Sequence, residues 1–87
     1  MAWAVEYDRD ALKALKKLDK PVAAKIINYL DDVALLEDPR TQGKALTGNL
    51  AGLWRYRIGN YRVICDLIED QLVIVAVDLG HRSDIYG

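Results

Sequence analysis

The chain has 87 residues, 52% hydrophobic and 29% charged, with 12 Lys and Arg against 13 Asp and Glu for a net charge of −1. These proportions predict one globular domain, residues 1–87, of modest stability and with a partner that supplements it, and a near-neutral charge argues against indiscriminate nucleic-acid binding. The single cysteine, Cys65, leaves no intramolecular disulfide and argues against a four-ligand zinc site, and no apolar run has the length of a membrane span or the layout of a secretory leader, so a soluble cytoplasmic protein is expected.

In chain order, Trp3, Val5 and Tyr7 alternate within residues 2–7 and predict a short first strand. Asp8 or Asp10 then caps a helix over 10–18, with Ala11, Leu12, Leu15 and Leu18 as its apolar stripe and Lys13, Lys16, Lys17 and Lys20 on another face. Pro21 suits the first residue of a second helix whose inward positions are Val22, Ile26, Tyr29, Leu30, Val33 and Leu36. Residues 37–52 hold Pro39, Gly43, Gly48 and Gly52 without a sustained period and read as a connecting loop that carries Lys44. Three strands follow, over 53–58, 61–68 and 72–79, with Gly59-Asn60 and Glu69-Asp70 as two-residue turns. The order β-α-α-β-β-β predicts an α+β fold, a small antiparallel sheet with an N-terminal strand and a two-helix hairpin packed on one face.

The charges are unevenly spread. From Arg40 to Cys65 there are five basic residues, Arg40, Lys44, Arg55, Arg57 and Arg62, and no acid. A two-residue turn at Gly59-Asn60 would pair Arg57 with Arg62 and Arg55 with Ile64, bringing three arginines onto one face. Like charges directly opposite across a sheet destabilise it by up to about 1 kcal/mol. That repulsion is relieved when the face meets an anion, and the planar guanidinium fork matches phosphate oxygens. Trp54, Tyr56, Ile58, Tyr61 and Val63 then fall on the opposite, core face. After the last strand, His81, Arg82 and Tyr86 can emerge near the arginines; Tyr86 either covers the core edge or stacks on a nucleobase.

Leu46-Thr47-Gly48, then the run from Leu53 to Val63, then Gly80-His81-Arg82 with Tyr86 four residues beyond, resemble the RelE/StbE-type toxins of the RelE/ParE family. The resemblance covers essentially the whole chain. It implies a RelE-like fold acting as an endoribonuclease that cuts mRNA in the ribosomal A site, without cofactor or metal. It also implies a cognate, RelB-like antitoxin that neutralises the toxin in a hetero-oligomeric complex, with the ribosome and mRNA as the other partners. Carried across, the catalytic positions are Arg55, Arg57, Arg62, Arg82 and Tyr86. The best-known relatives have lysines where this chain has Arg55 and Arg57.

Cleavage of this kind has the ribose 2′-hydroxyl attack the neighbouring phosphate, so the site needs a base, an acid and a cation. Arginine suits the cation alone, because it keeps its proton to above about pH 12. Arg57, Arg62 and Arg82 are expected to clamp the phosphate with Lys44 and Arg55 as further RNA-binding cations, and Tyr86 to orient a base. His81 or Lys44 would handle protons, unless the ribosome supplies part of that chemistry. Two other readings share the fold: a ParE-like inhibitor that poisons DNA gyrase by protein contact, and a degenerate toxin that only binds its antitoxin.

Overall fold

A computed structural model of the protein describes residues 2–81. Arg82 and Tyr86 lie outside the described residues. The elements are β1 (Ala4–Tyr7), α1 (Arg9–Lys16), α2 (Lys20–Ala34), β2 (Lys44–Ala45), β3 (Trp54–Ile58), β4 (Tyr61–Ile68) and β5 (Val73–His81), with 3-10 turns at Pro39–Thr41 and Gly48–Leu50.

Of the two candidate caps for α1, Asp8 is the one used, its carboxylate accepting from the Ala11 N–H at 2.9 Å. That satisfies one of the unpaired donors of the first turn and starts the helix earlier than the apolar stripe suggests. The other end closes early as well, because the Lys17 and Leu18 N–H groups donate to the carbonyls of Ala14 and Leu15, tightening the last turn. Pro21 is the second residue of α2, after Lys20, where the absence of its N–H costs no helical bond.

The sheet has five strands in the order β1-β5-β4-β3-β2. The expected meander of β3, β4 and β5 is present, and β1 lies beside β5 in parallel, from Ala4 opposite Val73 to Tyr7 opposite Ala76. The sheet is therefore mixed rather than wholly antiparallel. Residues 37–52 are also more than a connecting loop, since Lys44 and Ala45 pair with Arg55 and Trp54 as an edge strand. Two residues are too few to show a period, so the sequence pattern does not reveal this strand. The β4–β5 connection is a four-residue loop rather than a two-residue turn, with Ile68 paired to Val73 and Leu72 held at a φ of 54°.

Both helices cover one face of the sheet. Ala11, Leu15, Ile26, Leu30 and Val33 pack with Tyr56, Ile58, Val63, Cys65, Ile74, Ala76 and Leu79 in a single core. Each large side chain fully buried there contributes about 1.5–3 kcal/mol. Tyr56 is wholly inaccessible, and its hydroxyl donates to the Pro39 carbonyl at 2.8 Å, fastening the segment after α2 to the middle of β3. Ile64 and Leu46 are buried apart from this core, and the register places Ile64 on the sheet face that the helices leave uncovered.

A candidate anion-binding face

The site is built from the turn at Gly59-Asn60, where Gly59 takes a φ of 59° and closes the hairpin with Ile58 opposite Tyr61. The register follows at once: Arg57 faces Arg62, and Arg55 faces Ile64. Side chains alternate along a strand, so with Tyr56, Ile58 and Val63 buried toward the helices, Arg55, Arg57 and Arg62 project from the other side. Arg57 is exposed, and Arg55 and Arg62 are half-buried.

The edge strand β2 adds a fourth cation. Lys44 pairs with Arg55, which puts the two side chains on the same face with their Cβ atoms about 5 Å apart. Gly43 makes that approach possible. Its φ is 76°, and a Cβ at this position would collide with the Arg55 carbonyl, lie 2.8 Å from the Trp54 indole nitrogen and lie 2.9 Å from the Tyr56 ring. Only a residue without a side chain passes so close to β3. The Trp54 indole N–H donates to the Gln42 carbonyl at 2.6 Å, pinning the chain just before this crossing. Tyr29, Gly43, Lys44, Arg55 and Arg57 together line a cleft of about 200 Å³ at the β3 edge.

Arg40, the remaining base of the acid-free segment, has a different role. Its guanidinium lies 3.0 Å from the Glu69 carboxylate and 3.6 Å from that of Asp38, joining the 3-10 turn at Pro39 to the β4–β5 loop.

His81 is placed apart from the arginines. It pairs with Tyr61, and the two rings meet edge to face with centroids 5.5 Å apart, on the helix-covered side of the sheet. A bulge sets this parity: Cys65 pairs with Ala76 and Ile64 with Asp78, so Val77 is an extra residue. The bulge turns Leu79 and His81 toward the helices and puts Asp78 and Gly80 on the arginine side. Simple alternation along residues 72–79 misses it. Sequence reasoning also missed Gly43 and Tyr29 as parts of the cleft. The available signal was a glycine directly before a lone lysine in an otherwise neutral stretch.

Cys65 is buried, and burial pushes its thiol up from an ordinary 9.0 to about 12. Tyr7 rises from 10.0 to about 12, chiefly by burial and further by the negative charge of Asp31. Among the described residues no group of His, Cys, Asp and Glu is arranged to hold a metal ion. No described helix is long and apolar enough to cross a membrane.

Comparison with known proteins accords with this architecture. The family model of the ParE toxin of the type II toxin–antitoxin system parDE matches residues 5–86. The chain belongs to this toxin family, within the RelE/ParE superfamily. Toxin RelG of Mycobacterium tuberculosis is 29% identical over 86 residues, covering 99% of this chain and 98% of RelG. The mRNA interferase toxin RelE of Escherichia coli K12 is 28% identical over 91 residues, covering 100% of this chain and 93% of that toxin. Among solved structures, a chain of the RelBE2 toxin–antitoxin complex of Mycobacterium tuberculosis superposes with a TM-score of 0.85 at 26% identity, covering 97% of this chain and 95% of that one.

Proposed function

We propose that this toxin is a metal-independent endoribonuclease that cuts mRNA in the ribosomal A site of the cytoplasm, and that a RelB-like antitoxin holds it inactive in a hetero-oligomeric complex. The observation that carries the reading is the pairing of Arg57 with Arg62 on the helix-free face, flanked by Arg55 and Lys44. Four cations on adjoining strands suit a phosphodiester whose charge grows as it reacts. The naming of the Escherichia coli relative as an mRNA interferase supports cleavage, and the RelBE2 complex supports the antitoxin.

In this reading the ribose 2′-oxygen attacks phosphorus and the bond to the 5′-oxygen breaks, leaving a 2′,3′-cyclic phosphate and a 5′-hydroxyl. Arg57 and Arg62 hold the non-bridging oxygens, joined by Arg82, while Arg55 binds the neighbouring backbone and Tyr86 stacks on a base. The proton transfers need a different group, since a guanidinium keeps its proton throughout.

The test is to induce the protein in cells, map mRNA 5′ ends and follow the supercoiling of a reporter plasmid. Cuts in phase with codons inside translated frames are expected, and Arg57→Ala should remove them while antitoxin binding persists. The ParE description of the matching family favours a second reading, in which the fold poisons DNA gyrase by protein contact. Intact mRNA with gyrase-linked DNA damage selects that reading, and neither effect leaves a protein that only binds its antitoxin.

A further inference from the structure

We infer that Lys44 is the general acid of the cleavage step, protonating the 5′-oxygen as it leaves. The inference rests on the ribonuclease reading above and deepens it. Two side chains stood open for proton transfer, and the register separates them. Lys44 pairs with Arg55 and lines the cleft with Arg55 and Arg57, whereas His81 pairs with Tyr61 and meets its ring edge to face on the opposite face.

The chemistry selects the same residue. A leaving 5′-alkoxide is strongly basic and must receive a proton as the P–O bond breaks. An arginine gives up its proton only above about pH 12, whereas a lysine ammonium ordinarily does so nearer pH 10 and is charged at neutral pH. The step balances as follows: the 2′-oxygen forms its bond to phosphorus and its proton passes to water; the P–O5′ bond breaks; Lys44 Nζ gives its proton to the 5′-oxygen and regains one from solvent. Gly43 is the positioning residue, since its close passage over β3 sets Lys44 opposite Arg55.

The test uses ribosomes programmed with mRNA carrying either the natural linkage or a 5′-bridging sulphur at the cleavage site. A thiolate leaves without a proton, so loss of a general acid slows only the oxygen linkage. Lys44→Ala is expected to slow the oxygen linkage at least about 100-fold more than the sulphur linkage, which loses only a phosphate-binding charge, and Lys44→Arg, which keeps that charge, should show the same selective defect. Arg57→Ala should slow both. Lys44 is exposed, so thermal melting and antitoxin binding should match the wild type in each Lys44 variant. Wild-type cleavage of the oxygen linkage by Lys44→Ala, or equal slowing of both linkages, overturns the role of Lys44 and leaves the ribonuclease reading intact. Failure of the wild type to cut the oxygen linkage overturns both.

Discussion

Arg57 and Arg62 carry like charge on paired positions, so losing one should help the fold while ending the activity. Arg57→Ala is expected to raise stability by a few tenths of a kcal/mol to about 1 kcal/mol, read as a higher urea midpoint, in the same variant that no longer arrests growth. Two tyrosines make a sharper pair. Tyr56 donates to the Pro39 carbonyl from a fully buried position, so Tyr56→Phe should cost about 1–2 kcal/mol by leaving that acceptor unmet. The Tyr7 hydroxyl is buried with no hydrogen-bond partner among the described residues, so Tyr7→Phe should be neutral or stabilising by up to about 1 kcal/mol. Urea titrations of both variants check the contrast, and equal losses would contradict it.

At the scale of elements, β2 depends on Gly43, which combines a positive φ with direct contact against β3. Gly43→Ala should cost about 1–3 kcal/mol and shift Lys44 away from Arg55. Chemical denaturation reads the first effect, and cleavage falling further than stability reads the second. The hairpin was legible in the sequence because Gly59-Asn60 fixes a two-residue turn and the turn fixes every pair from Ile58–Tyr61 to Arg55–Ile64. The helices were legible from their apolar stripes, with ends shifted by the Asp8 cap and by a tightened last turn. Three features were not. The edge strand β2 is too short to carry a period, the parallel neighbour of β1 is set by packing far along the chain, and the bulge at Val77 reverses a parity that alternation would have continued. The last of these separates His81 from the arginine face, which the sequence alone had grouped together.

At the scale of the molecule, the buried acids make the fold sensitive to alkali. Cys65 is raised from 9.0 to about 12, Tyr7 from 10.0 to about 12, and Tyr29 and Tyr56 are raised as well, all chiefly by burial. Raised acids keep their protons in the folded state longer than in the unfolded chain. Their contribution is therefore complete below about pH 9 and falls as pH climbs from there through about 12. Urea midpoints measured from neutral to strongly alkaline pH should decline above about pH 9, and the Cys65 thiol should ignore thiol reagents until the protein unfolds. The parallel contact of β1 with β5 bears on the order of events during synthesis. The arginine hairpin joins strands adjacent in sequence, but β1 must wait for β5, far along the chain, before it finds its neighbour. A nascent chain holding the cationic hairpin without a closed sheet has an incomplete core to support it. The cationic hairpin therefore rests on a complete core only once β5 lies between it and β1.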